Sequence, residues 1–236
     1  MAEQPPNRRA RMREQTAAEI VRTARALLAA EGPGALTLRA TARELGMAAP
    51  SLYRYYPDHR ALVQAVVADL YLDLARALEA ARDRDPGAPT GQKLAAAARE
   101  LRTWVLGHRR EFSLLFGKPV ADAGTAPQDP SHEASWRFGG VFLGLMTQLW
   151  KEDVIPPPAG GRGETAWLEQ LEELREHLTE DVPLPVLRVF IEAWVRLYGI
   201  VSMEAFGHLD FALADPEPLF EQTLYEVLAF LGATWE

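Results

Sequence analysis

Apolar positions recur every three to four residues along most of this chain, the period of an α-helix rather than of a strand. Between Arg11 and Glu31 one stripe is formed by Ala17, Ile20, Val21, Ala24, Leu27 and Leu28, and Gly32-Pro33-Gly34 stops it. Leu38, Ala42 and Leu45 make a shorter stripe behind Thr37, whose hydroxyl suits an N-cap. Gly46 follows, where the chain must enter a left-handed conformation. A second short helix is predicted from about Ala48 to Pro57. Pro50 falls in its first turn, where the missing N–H has no intrahelical acceptor to lose. Asp58 is placed to cap a long helix that runs to about Arg82.

The pattern continues to the end of the chain. Asp83–Gly91 reads as a loop in which Thr90 caps a helix over roughly 91–107. Arg109–Gly117 reads as a short helix, Lys118–Pro130 as a Pro/Gly-rich loop, and about Ser131–Asp153 as a helix carrying Trp136, Phe138, Phe142, Leu145, Met146, Leu149 and Trp150. After a turn-rich break at 154–163 comes a polar helix, Glu164–Leu178. The most apolar long helix covers about Leu184–Leu209, with hydrophobic residues around nearly its whole circumference, so it has to be buried on all sides. The last helix, about Pro216–Leu231, is amphipathic. Residues 1–10 are polar and contain Pro5-Pro6, which predicts disorder. The expected fold class is all-α.

The stretch LTLRATARELGMAAPSLYRYYPDHRALV has the layout of a helix-turn-helix, in which the second helix enters the DNA major groove. It resembles the DNA-binding domain of the TetR family of bacterial transcriptional repressors. A Thr precedes the second helix, Gly46 makes the turn, and the aromatic run Leu52-Tyr53-Arg54-Tyr55-Tyr56-Pro57 closes the recognition helix. The resemblance implies a three-helix reading head, residues 11–60, and a larger helical ligand-binding and dimerisation domain, residues 61–236. Two positions depart from the family pattern. Ala48-Ala49-Pro50 stands where polar residues often begin the recognition helix, and His59 stands where a phosphate-binding Lys is usual.

Net charge is −8, which by itself speaks against a nucleic-acid partner. Its distribution reverses that. Residues 1–60 carry ten Arg against six Asp/Glu, a net +4, while residues 61–236 carry fifteen Lys/Arg against twenty-seven Asp/Glu, a net −12. A basic head on an acidic body is the asymmetry expected when one part meets phosphate. The absence of Cys excludes disulfides and Cys-ligated zinc and is compatible with a reducing compartment. MAEQPPNRRARMREQ has no apolar core and predicts no secretory leader, and no run is long enough to span a membrane. The expected location is the cytoplasm.

The candidate DNA-facing residues are Thr37, Arg39, Ala48, Ala49, Ser51, Tyr53, Arg54, Tyr55 and His59. Leu52 and Tyr56 are four apart and share a face, which assigns them to the three-helix core. Arg54, the only long cation of the short helix, is suited either to guanine O6/N7 or to a phosphate. Tyr53 and Tyr55 present hydroxyls to phosphate oxygens, as their family counterparts commonly do. Ala48, Ala49 and Pro50 offer small apolar surface for a thymine methyl. His59 either donates to a phosphate or serves the start of its helix. Arg8, Arg9, Arg11 and Arg13 either follow phosphates and a minor groove or form a solvated tail.

In the C-terminal half, LRTWVLGHRREFSLLFG and AWVRLYGIVSMEAFGHLD resemble the TetR-type ligand-binding domain whose long helix carries a Trp-His-Gly signature. Trp194 and Gly199 match it, and Tyr198 stands where the His would be. The resemblance implies a pocket for a small, largely apolar effector, with Trp104, Phe112, Phe116, Phe142, Met146, Trp194 and Tyr198 as candidate lining, although such a stripe also fits packed core. It also implies a homodimer through the helices at about 184–209 and 216–231. The function expected is a repressor released from a palindromic operator by that effector, with a ligand-responsive activator as the alternative. An all-helical enzyme is a poor fit. None of the five His has Glu three residues before it, as a di-iron site needs, and the HEASW fragment at His132 lacks the second His of a zinc protease. No metal and no cofactor is expected.

Overall fold

The computed structural model describes residues 8–117, 130–156, 164–176, 178 and 182–233. Among them the chain is all helical, in the order α1 (Arg8–Glu31), α2 (Leu38–Glu44), α3 (Ala49–Leu52), α4 (His59–Arg82), α5 (Thr90–Gly107), α6 (Arg109–Phe116), α7 (Pro130–Lys151), α8 (Glu164–Glu176), α9 (Leu184–Ala205) and α10 (Glu217–Phe230). A 3-10 turn, Pro33–Ala35, joins α1 to α2. No helix of the described residues is long and apolar enough to cross a membrane.

The described residues fall into two compact units. One draws on Met1–Asp73 and His108–Trp136, the other on Leu74–Gly107 and Arg137–Glu236. This differs from a division at residue 60. The first half of α4 buries Leu62, Val66, Val67 and Leu70, and α6 packs on α1 and the 3-10 turn, so both belong with the head. α4 and α7 each contribute residues to both units.

In the head, Ile20, Val21, Ala24, Leu27 and Leu28 of α1 are buried together with Leu38 and Ala42 of α2 and Leu52 of α3. Thr37 caps α2, its hydroxyl oxygen accepting from Ala40 N at 3.1 Å. Gly46 sits at φ 64°, the left-handed turn that ends α2. Asp58 caps α4 by accepting from Ala61 N at 2.8 Å. Tyr56 is half-buried and its hydroxyl reaches Ala17 O at 3.4 Å. Burial first, and then the nearby Asp69 carboxylate, raise its phenol above the ordinary tyrosine range, so it stays a neutral donor.

Four local expectations change. α1 starts at Arg8, so part of the stretch expected to be disordered is helical. The α-helical part of the recognition element covers only Ala49–Leu52. Beyond it the amides of Tyr53, Arg54 and Tyr55 bond to Ala49, Ser51 and Leu52 in a tightening turn, and Pro57 disfavours α-conformation at Tyr56. Thr90 lies inside α5 and its hydroxyl donates to Glu152 at 2.8 Å, so it is not the cap. α9 ends at Ala205 because Gly207 turns left-handed at φ 70°.

The body is held by α9, which packs against α5, α8 and α10. Arginines tie these helices together, two of them in bidentate fashion. Arg102 of α5 donates to both oxygens of Glu204 on α9 at 2.7 Å, and that carboxylate is only 6% exposed. Arg99 grips Glu221 of α10 at 2.7 and 2.8 Å. Arg188, buried in α9, donates to Glu164 of α8 at 2.8 Å and lies over the Trp167 ring.

Candidate nucleic-acid interface and apolar cavity

All nine sequence-assigned DNA-facing residues belong to the head unit. Thr37 and Arg39 are exposed at the first turn of α2. The Thr37 hydroxyl oxygen already accepts one bond as a cap, which leaves its O–H and one lone pair for a partner. Ala48 is exposed, Ala49 and Ser51 are half-buried, Tyr53 is 45% exposed and Arg54 is exposed. Leu52 is fully buried, as its pairing with Tyr56 predicts. The short α3 therefore turns one apolar anchor inward and leaves Tyr53 and Arg54 outward.

His59 lies with Nε2 2.7 Å from Leu36 O. A carbonyl only accepts, so Nε2 must carry the proton and donate it. The neutral ring then has only an acceptor nitrogen left, and a donor toward phosphate exists only on the imidazolium. The position is structural first: it ties the start of α4 to the segment before α2.

One groove was not assigned from sequence. Arg8, Arg9, Met12, Arg13 and Thr16 of α1 line a space of about 650 Å³ together with Arg54 and Tyr55 from the turn after α3. The α1 members follow one another at alternating intervals of one and three, which is a single helical face. The basic N-terminal stretch is thus part of a rigid helix that shares a groove with the recognition element.

The seven candidate pocket residues are divided between the two units. Phe112 and Phe116 belong to the head, where Phe116 meets the edge of Tyr71 at 5.7 Å. Their helix α6 packs on α1, a contact without sequence signal. In the body, Phe142, Met146 and Trp194 line an apolar cavity with Leu101, Phe190 and Leu197. Trp104 is buried nearby in α5 without lining it, and Tyr198 stacks on Trp194 with ring centres 5.2 Å apart. The cavity holds about 10 Å³, room for no more than one water, and its lining offers almost no polar atom to keep a water there. In this conformation the aromatic cluster is packed core. Among the described residues no group of side chains could hold a metal ion.

The sequence matches two family descriptions: "Bacterial regulatory proteins, tetR family" over residues 20–66, and "Tetracyclin repressor-like, C-terminal domain" over residues 94–227. HTH-type transcriptional regulators of Mycobacterium tuberculosis and Mycobacterium bovis are 29% identical over 228 residues, covering 93% of this chain and 94% of each relative. The crystal structure of the regulatory protein SCO4313 is similar with a TM-score of 0.72 at 30% identity, spanning 95% of this chain and 100% of that one. RolR in complex with resorcinol shares the fold, with a TM-score of 0.56 at 18% identity over 96% of this chain and 92% of that one.

Proposed function

The chain belongs to the TetR family and is a DNA-binding transcriptional regulator, and from that premise we propose a homodimeric repressor released from a palindromic operator by a small, largely apolar molecule. The observation that carries the dimer is the outer face of α9. Val195 is 63% exposed, Met203 43% and Phe206 38%, and they recur at intervals of eight and three along one side of the helix. Leu219 and Tyr225 of α10 are exposed as well, and Phe211 between the two helices is 89% exposed. A helix this apolar needs a partner surface, and a second copy offers the same one under two-fold symmetry.

The effector reading rests on the α7–α9 cluster. An apolar molecule gains entry by parting Trp194 and Phe190 from Phe142 and Met146, side chains that supply large contact area and, through Met146, adaptability. Because the closed cavity is so small, occupancy must change the body, and α4 is continuous from body to head. A ligand that prefers the opened body then shifts the separation of the two heads, and half-sites about 34 Å apart tolerate little mismatch. The test is a thermal-shift screen of small aromatic and aliphatic compounds, followed by duplex release. Compounds that stabilise the protein are expected to free it from DNA. Stabilising compounds that leave the complex intact would refute ligand-relieved repression.

A further inference from the structure

We propose that the groove between the N-terminal turns of α1 and the turn after α3 is a phosphate clamp, in which Arg8, Arg13, Arg54 and Tyr55 grip the DNA backbone independently of sequence. The inference rests on the DNA-binding reading above and names which part of the duplex this surface takes. Two elements distant in sequence bring guanidinium groups to one groove, and no carboxylate is among the described residues that line it. In the body, by contrast, Arg82, Arg99, Arg102, Arg137 and Arg188 each meet an Asp or Glu. Among the described residues Arg8, Arg13 and Arg54 have no such partner.

Like charges held at one groove repel, and an anion between them relieves that repulsion. Guanidinium forks match the paired oxygens of a phosphodiester, and the Tyr55 hydroxyl adds a neutral donor. The groove is also preorganised. α1 is a continuous helix anchored in the head core by Ile20 and Val21, and Arg25 locks it to α4. Arg54 is thereby assigned to phosphate rather than to guanine, since it faces the same groove as the α1 arginines. Base reading then falls to Ser51, the small surface of Ala48 and Ala49, and DNA shape.

The test measures binding of the full chain to a duplex of arbitrary sequence, about 25 base pairs long, as a function of salt. Removing one side chain that neutralises a phosphate makes the slope of log K against log salt shallower by about 0.9. Arg8→Ala with Arg13→Ala is expected to make it shallower by about 2, and Arg8→Lys with Arg13→Lys to restore most of the difference. Arg11→Ala, absent from the groove lining, is the control expected to leave the slope unchanged. Both α1 positions are exposed, so helical content by circular dichroism is expected to persist. An unchanged slope in the double alanine variant, or an equal change in Arg11→Ala, overturns the clamp while leaving the DNA-binding reading intact. Failure of the unaltered chain to bind any duplex overturns both.

Discussion

The Arg25 guanidinium lies 2.7 Å from the Asp69 carboxylate, and its second nitrogen reaches Asp73 at 3.1 Å, one turn further along α4. A single α1 side chain thus spans two turns of the helix that leads from head to body. Arg25 keeps 20% of its side-chain surface exposed and the carboxylates 36%, so the pair is screened, though less than a surface pair. Replacing it by Met keeps the aliphatic stem and leaves two carboxylates facing each other. The expected cost is about 1–2 kcal/mol, a fall of several degrees in the unfolding midpoint. Thermal denaturation measures it directly, and Asp69→Asn in the same background should recover part of the loss.

Arg102 and Glu204 present the opposite limit. Glu204 is 6% exposed and its oxygens receive two charged hydrogen bonds from one guanidinium. Arg102→Met removes both charged hydrogen bonds from a buried carboxylate, and the expected loss is about 3 kcal/mol, larger than for Arg25→Met. Denaturant titration of the two variants side by side decides whether burial sets the ranking.

Acid is expected to loosen the body. The Arg99 fork on Glu221, and the Arg137 fork on Glu79, hold these carboxyls below the ordinary glutamate range. A depressed folded-state pKa means the native chain binds fewer protons than the unfolded one. Its stabilisation is complete above the unfolded glutamate pKa and is lost as pH falls through the lowered value. Both pairs are solvent-accessible, so screening keeps each contribution small. Glu221→Gln should flatten the acid limb of a stability-versus-pH curve measured by chemical denaturation. An unaltered limb would mean that the Arg99 fork contributes nothing.

Much of this head was legible because its signals are local. Thr37, Gly46 and Asp58 each act within three residues of their own position, through a cap or a left-handed turn. The aromatic closing run was legible too, but not the length of α3, because the choice between α-helical and tighter bonding at Tyr53–Tyr55 is settled by packing and by Pro57. What sequence reasoning missed is non-local. Arg102 and Glu204 are 102 positions apart, and Arg8 meets the groove of Arg54 only once α1 is packed. The charge reversal near residue 60 was a hint of the clamp, but it could not separate a solvated tail from a lined groove. Phe112 and Phe116 show the same limit: their stripe announces burial without naming the unit that buries them.

The α9 face supplies a test of assembly. Val195→Glu with Met203→Glu changes two side chains that are exposed in the single chain, so folding is expected to survive. Sedimentation velocity should find a dimer for the unaltered protein and a monomer for the double variant, with a marked fall in duplex affinity as the paired heads separate. A variant that remains dimeric would move the interface elsewhere.

The most direct measurement is selection of duplexes from a random-sequence pool by the full chain, with the sequences and stoichiometry of the bound species determined. A two-fold regulator with one reading head per subunit predicts enriched inverted half-sites, separated by about one helical turn or a multiple of it, bound by an even number of chains. Arg54→Ala should weaken binding while leaving the enriched sequence the same. Enrichment of a single unrepeated site bound by one chain, or of no sequence at all, would contradict the account.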